Sequence, residues 1–286
     1  MTHSAKSNEY LFIEGLTAEL SAKELIFPTS LNATMKIRHA LGQEDIANDR
    51  LVRLIGTEPV LSAQVLRFCN SAAFNRSNAP ASNLRTAIMR LGFAVIRNIA
   101  ISVGMKQLSE FKTASEFAQR IEGLWNRSVR VAALSYVIAR NLTKLNPDTA
   151  MLAGLLHDVG KFYILHRARH YATLFSSERA LWEIVDQWHA SIGAAILENW
   201  RIPDEIRNAV MEHRTLERAH PGPPDLIDVL TAADILDAHF YANSAALLDW
   251  DSLPHALAHL RLDHEKSKVL MSDTKEELYL IFQALV

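Results

Sequence analysis

The chain has 286 residues, of which 49% are hydrophobic, and a formal net charge of -2. That length predicts one large domain or two smaller ones, and the near-neutral charge gives no electrostatic basis for binding nucleic acid or an anionic membrane. The single cysteine excludes an internal disulfide and is typical of a reducing compartment.

Nearly every segment repeats its apolar residues with helical period, and none shows the alternation of a β-strand. In TEPVLSAQVLRFCNSAAF, a helix is predicted to start with Thr57 as its cap and Pro59 in its first turn. In SNLRTAIMRLG, the next helix is predicted to start at the N-cap Ser82 and to stop at Gly92. The segment FAVIRNIAISVGMKQL then continues with a further apolar stripe.

The second half is also predicted to be helical. The sequence Asn146-Pro147-Asp148 supplies a cap, a proline at the first helical position and an acid at the positive end of the dipole. The helix that starts there is predicted to carry the pair His157-Asp158 and to stop at Gly160. Later helices are predicted over 181–200, 202–213 and 226–240, with the loop HPGPPD before the last of them.

The polar stretch SEFKTASE, residues 109–116, is the best candidate for a domain boundary. It is a change of composition and not a flexible linker, so the two sides are expected to pack together. The sequence therefore predicts an all-α protein of two packed helical subdomains, 1–112 and 113–286.

Ionisable side chains stand on helix faces that are otherwise apolar. A lone histidine in such a place is more often a hydrogen-bonded core residue than a ligand, but an unpaired buried carboxylate is costly and needs a cation. Together, three imidazoles and two carboxylates suit a divalent transition metal (Fe, Mn, Zn or Ni), which lowers the pKa of bound water for phosphate ester hydrolysis. The candidate metal ligands are His157, Asp158, His189, His213 and Asp234.

Two groups of motifs resemble known families. AGLLHDVGKF resembles the signature of the HD superfamily of metal-dependent phosphohydrolases. Upstream, GTEPVLSAQVLRFCNSAAFN followed by LRTAIMRLGFAVIRNIA is similar to the HDOD family, the HD-related output domain, as is HASIGAAILENWRIPDEIRNAVMEH downstream. The resemblance covers roughly Leu25 to Phe240 and follows the family's motif order.

The HDOD resemblance implies an all-helical protein of bacterial signalling or regulation, with an HD-type fold in its C-terminal subdomain. Members of the family are generally regarded as HD relatives with reduced or absent catalysis that act through protein partners. By resemblance to active HD proteins, Asp158 is expected to be a catalytic residue. Lys161 is expected to lie beside the pocket and to help bind phosphate. Lys161 has a second interpretation, as a cation that neutralises the C-terminal end of a helix dipole.

The chain departs from the HD pattern at one ligand. The place of the first metal-binding histidine, in LWNRSVRVA, is taken by Arg127. An arginine cannot coordinate a metal, but it can pair with Asp158 or Asp234 and occupy the metal's electrostatic place. His213 is followed by Arg214 where HD-GYP proteins have a second histidine, and no Gly-Tyr-Pro triplet occurs.

Other polar clusters are weaker candidates. Cys69 lies in an apolar stripe, which predicts an inert core thiol. His255, His259 and His264 near the C-terminus are interpreted as surface residues, because no acid stands near them at catalytic spacing.

Three functions remain open. The first is a non-catalytic regulatory module that binds another protein, the second a metal-dependent phosphohydrolase for a nucleotide or cyclic dinucleotide, and the third a metal or small-ligand sensor. The start MTHSAKSNEY lacks the pattern of a signal peptide, and no apolar run approaches the roughly 20 residues that span a bilayer. We expect a cytoplasmic protein with a protein partner, and neither nucleic acid nor membrane binding.

Overall fold

The structure is a computed structural model that describes residues 2–22, 48–75, 79–109, 115–168, 177–241 and 248–285. All regular structure in these ranges is helical, so the all-α prediction is confirmed. The helices of the N-terminal half are α1 (Thr2–Ser21), α2 (Asn48–Gly56), α3 (Pro59–Asn70) and α4 (Leu84–Ser109).

The C-terminal half contains the longest helix and eight others among the residues described. Three of the shorter helices pack against the long one, and the rest pack mainly against one another. They are α5 (Ser115–Leu142), α6 (Pro147–Leu156), α7 (Val159–Ala168), α8 (Glu178–Asn199), α9 (Asp204–Glu212), α10 (Leu226–Tyr241), α11 (His255–His259), α12 (His264–Asp273) and α13 (Lys275–Leu285).

Local start and stop signals explain the N-terminal helices, with two corrections. Asn83, and not Ser82, caps α4, because its side-chain oxygen accepts from the Thr86 N–H at 2.9 Å. Glu58, and not Thr57, stands at the cap position of α3. Gly92 has a φ of 76°, which glycine adopts without strain, and it interrupts α4 where the sequence predicts a stop.

Contrary to the expectation that no apolar run approaches the length that spans a bilayer, one described helix, Leu84–Gln107, is long and apolar enough to do so. In the folded protein, 61% of the most apolar 18-residue segment of this helix is buried. The interruption at Gly92 also falls within it. It is therefore accounted for as a core helix.

The turn between α6 and α7 carries the His-Asp pair. Asn146 caps α6 by accepting from the N–H groups of Asp148 and Thr149 at 2.8 and 3.3 Å, as predicted. The prediction that this helix runs through His157-Asp158 to Gly160 is wrong, since α6 ends at Leu156 and α7 begins at Val159. Both side chains therefore sit on a tight turn between two buried helices.

The two halves share one continuous apolar core. Helix α4 packs against α5, α6 and α7, and α13 packs against both α3 and α5. Asn98 of α4 donates to the Asp148 carbonyl at the start of α6 at 2.8 Å. The predicted boundary at residue 112 lies outside the described residues, so the division into 1–112 and 113–286 stays a prediction.

Candidate functional site

Four segments of the C-terminal half bring the candidate ligands into one interior cluster. The α6–α7 turn contributes His157 and Asp158, α8 contributes His189, the end of α9 contributes His213, and α10 contributes Asp234. Each of these residues is at most 4% exposed. The structure thus places together all five candidate metal ligands, while their roles as metal ligands or catalytic groups stay predictions.

Arg127 of α5 extends its guanidinium into the centre of this cluster. Its Nη1 lies 2.9 Å from Asp158 Oδ2 and 2.9 Å from His157 Nε2. Its Nη2 donates a hydrogen bond to Asp234. The predicted ion pair is therefore confirmed for both aspartates, and the same guanidinium also takes the imidazole nitrogen that would face a metal.

A second ion pair, which sequence reasoning missed, extends the network. Arg130 Nε and Nη2 donate to the two carboxylate oxygens of Asp237 at 2.6 and 3.2 Å. Asp237 also lies 3.6 Å from Arg127 Nε. The signal was present in the sequence, because Arg127 and Arg130 on α5 have the same i, i+3 spacing as Asp234 and Asp237 on α10.

Lys161 also contacts the cluster. Its Nζ lies 3.0 Å from Asp158 Oδ1, in an ion pair without the alignment of a hydrogen bond. The interpretation as a C-terminal helix cation is wrong, because Lys161 lies in the first turn of α7, which continues to Ala168. Asp158 is consequently held between two cations, Arg127 and Lys161.

The three imidazoles are oriented alike by backbone carbonyls. Nδ1 of His157 contacts the Gly154 carbonyl at 2.7 Å, that of His189 the Val185 carbonyl at 3.0 Å, and that of His213 the Val210 carbonyl at 2.7 Å. An Nδ1–H donor leaves a lone pair on each Nε2. Arg127 meets that of His157, whereas Nε2 of His189 and of His213 is buried with no partner among the described residues.

Burial and charge set the protonation states. Burial lowers the pKa of His189 to about 4 and that of His213 to about 3, so both rings are neutral at pH 7. Burial by itself raises the pKa of Asp158, but the neighbouring cations Lys161 and Arg127 outweigh it and hold this pKa well below its ordinary value. The pKa of Asp234 is likewise lowered, since Arg127 outweighs its burial.

The ligands of an HD-type metal fit this cluster only in part. Where His157, Asp158 and Asp234 converge, a guanidinium already bonds all three, so a metal does not fit there. A second position fits better, because Asp158, His189 and His213 each offer a buried ligand atom and these atoms lie within 4.8 Å of one another. The unpartnered Nε2 atoms of the two histidines belong to this second set.

Comparison with solved structures supports the all-helical fold described above. A solved structure from Shewanella amazonensis SB2B, named for the metal-dependent phosphohydrolases, superposes with a TM-score of 0.76. It has 26% sequence identity and covers 98% of this chain and 100% of its own.

Curated relatives match over shorter parts of their own length. An uncharacterised protein of Treponema pallidum is 26% identical over 234 residues, which is 77% of this chain and 44% of that protein. Ribonuclease Y of Thermosipho melanesiensis is 32% identical over 134 residues, 47% of this chain and 21% of the ribonuclease. This chain therefore spans less than half the length of these relatives.

The family model of the HDOD domain matches residues 27–216, which is well over half of the chain. That range contains the α6–α7 turn with His157 and Asp158 as well as the upstream motifs. The chain belongs to the HDOD family.

Proposed function

We propose that this chain is a non-hydrolytic regulatory protein of signal transduction, which acts by binding a protein partner. The observation that carries the proposal is Arg127, whose guanidinium bonds three groups that would otherwise hold a metal, those of His157, Asp158 and Asp234. HD-type hydrolysis depends on a metal ion that activates water. A chain whose own side chain fills the metal position has no metal there to activate water.

The charge balance of the cluster supports the same proposal. Three buried carboxylates, those of Asp158, Asp234 and Asp237, face three cations within 4 Å, and Arg214 adds a fourth from the rim. Buried charges are stable when they are paired and hydrogen-bonded. Because the carboxylates are already neutralised, a divalent ion would add uncompensated positive charge.

A second candidate function rests on Asp158, His189 and His213. These residues fit a single transition metal by their donor set and by the two unpartnered imidazole nitrogens. A metal held there would supply an activated water for phosphate ester hydrolysis. Lys161, 7% exposed beside Asp158, would then neutralise a phosphate.

The distinguishing experiment exchanges Arg127 for the histidine that the HD pattern has at this place. The Arg127→His variant removes the cation and adds an imidazole beside His157, Asp158 and Asp234. We expect it to take up at least one more equivalent of Mn²⁺ or Fe²⁺ than the wild-type chain, as measured by elemental analysis after gel filtration. Arg127→Gln is the matched control, since it removes the same charge without supplying a ligand, and it should not gain metal.

Hydrolysis assays test the choice between the two functions. The wild-type chain, supplied with Mn²⁺, Fe²⁺ or Ni²⁺, should not cleave nucleotides or cyclic dinucleotides. Turnover by the wild type that disappears in His189→Gln would overturn the regulatory proposal and favour the single-metal enzyme. In the organism that carries this chain, His189→Gln should still complement a deletion if the protein acts through a partner.

A further inference from the structure

A second cluster of histidines lies outside the interior site, where the loop between α9 and α10 meets the short helix α11. Its members are His220 of the loop, Asp228 of α10, and His255 and His259 of α11. The interpretation of His259 as a surface residue without a nearby acid is wrong, and His255 is also partly buried. His259 of α11 and His220 of the loop both contact the carboxylate of Asp228, which is 2% exposed.

Two imidazoles converge on one carboxylate oxygen. His220 Nε2 lies 2.8 Å from Asp228 Oδ2, and His259 Nδ1 lies 2.9 Å from the same atom. The Asp225 backbone N–H also reaches this oxygen, at 3.1 Å. Asp228 Oδ2 is therefore the centre of the cluster.

The other nitrogen of each ring faces a backbone carbonyl. His259 Nε2 lies 2.8 Å from the Gly222 carbonyl, and His220 Nδ1 lies 3.2 Å from the Pro221 carbonyl. A neutral imidazole has one N–H, and histidines that bind metals characteristically donate it to such an acceptor. If the N–H points to the carbonyl in both rings, two lone pairs and a carboxylate oxygen face one another, and that arrangement requires either a metal ion or protonation of the rings.

His255 completes the group. Its ring centroid lies 5.0 Å from that of His259 and 6.0 Å from that of His220. Its Nε2 is buried and has no hydrogen-bond partner among the described residues. One ring nitrogen from each of the three histidines lies within 4.8 Å of the others.

The charge around the cluster also favours a cation. Arg218 pairs with Glu212 and Asp225 and lies 3.6 Å from Asp228 Oδ1. Three carboxylates therefore share one guanidinium, in contrast with the balanced interior site. An added cation would find uncompensated negative charge here.

We propose that His220, His255, His259 and Asp228 form a structural zinc site that fastens the α9–α10 loop to α11. Three imidazoles and one carboxylate give the four-coordinate, nitrogen-rich set that zinc prefers, and a full protein shell leaves no open position for catalysis. Zinc–ligand bonds of 2.0–2.2 Å place the ligand atoms of a tetrahedral site about 3.3 Å apart. The two imidazole contacts at Asp228 Oδ2 lie within about 0.5 Å of this spacing, whereas the three imidazole nitrogens, which lie within 4.8 Å of one another, would adjust to it when a zinc ion binds. The site is independent of the function proposed for the interior cluster.

Zinc titration tests the proposal with the interior site disabled. The full-length His189→Gln chain is stripped with a chelator, dialysed and titrated with Zn²⁺ at neutral pH, and bound zinc is measured after gel filtration. We expect one equivalent to remain bound, and to be lost when His255→Ala or His259→Gln is added. His264→Ala is the matched control, since His264 is a third histidine of the C-terminal segment whose ring contacts His239 and Trp250, and this variant should retain the equivalent.

Circular dichroism shows whether each variant is folded. His255 and His259 are only partly buried, so their removal should leave the fold intact. Two results would overturn the proposal: no zinc bound by His189→Gln, or the same zinc bound after both His255→Ala and His259→Gln. The first would mean that protons, and not a metal, hold these imidazoles beside Asp228.

Discussion

Arg127 forms the centre of the interior network, since its guanidinium contacts His157, Asp158, Asp234 and Asp237 at once. Burial alone lowers the pKa of Arg127, but Asp234, Asp158 and Asp237 outweigh it and raise this pKa above its ordinary value. The guanidinium therefore stays charged in the interior. In the proposed function, this charge neutralises the aspartates in place of a metal and activates no water.

Removing this side chain should destabilise the whole protein. In Arg127→Ala, Asp158 keeps Lys161 and Asp234 keeps only the rim residue Arg214, so buried carboxylates lose their main counter-ion. Breaking a buried pair from one side costs about 3–5 kcal/mol, which urea unfolding monitored by circular dichroism would measure. Arg214→Ala is the control: its side chain is 55% exposed, so its loss should cost less than about 1 kcal/mol. Equal effects of the two substitutions would contradict the central place given to Arg127.

The neutral histidines predict how stability depends on pH. In the unfolded chain, His189 and His213 take up protons below their ordinary pKa of about 6.5. In the folded protein, His189 stays neutral down to about pH 4 and His213 down to about pH 3. Stability should therefore fall as the pH is lowered from about 6.5 to about 4, with each histidine adding up to about 1.4 kcal/mol per pH unit. The aspartates act in a lower range, because their lowered pKa values stabilise the fold above about pH 4.

Urea unfolding across this range, with a chelator present, checks the histidine contribution. In His189→Gln the slope of unfolding free energy against pH should be clearly shallower between about pH 4 and about 6.5. His264→Gln, which changes a partly exposed ring, should keep the wild-type slope. A slope that survives His189→Gln unchanged would mean that this ring is not held neutral by burial.

At the scale of elements, the close approach of α7 and α8 depends on Gly160. A Cβ at this position would lie 2.0 Å from the His189 carbonyl oxygen and 2.8 Å from the Gly193 nitrogen, both backbone atoms that cannot rotate away. Gly160→Ala should therefore separate the two helices and cost about 3 kcal/mol, the upper end of the usual cost of overpacking. Gly123 on α5 is the control: nothing lies within 4 Å of its added Cβ, so Gly123→Ala should stabilise the helix by about 1 kcal/mol. Thermal unfolding of both variants makes the comparison, and a neutral Gly160→Ala would contradict this packing.

Gly160 also shows what sequence patterns leave out. Because Gly160 follows an apolar run, the sequence favoured a helix stop there. In the structure, Gly160 instead lies in close contact with α8, which begins 18 residues later. Neither residue of the helix break at His157-Asp158 is a proline or glycine that would have indicated it in the sequence. By contrast, the starts at Asn146-Pro147 and Pro59 and the interruption at Gly92 were predictable, because caps, proline and positive φ act within one turn.

At the scale of the whole molecule, the five interior residues were predictable because a family motif fixes their order along the chain. The Arg127 ion pairs followed from that order, since the arginine stands where a ligand was expected. The cluster of His220, Asp228 and His259 was not predictable in this way. Its members come from a loop and two helices, and only the path of the loop brings them together.

The shared core of the two halves leads to a prediction for unfolding. All five tryptophans lie between Trp125 and Trp250, so fluorescence reports on the C-terminal half, whereas circular dichroism reports on every helix. Because α4 packs against α5, α6 and α7, the two signals should change in one transition with the same midpoint.

A substitution in α4 makes the test sharper. Ile99 is 2% exposed, and Ile99→Ala should cost about 2–5 kcal/mol and lower the fluorescence midpoint, although α4 contains no tryptophan. Met89→Ala is the control in the same helix, because Met89 is 70% exposed and should leave the midpoint nearly unchanged. If Ile99→Ala left the fluorescence midpoint unchanged and circular dichroism showed a second transition, the halves would unfold separately. A single lowered midpoint means that the N-terminal half contributes to the stability of the helices that hold the Arg127 network, because both halves fold as one unit.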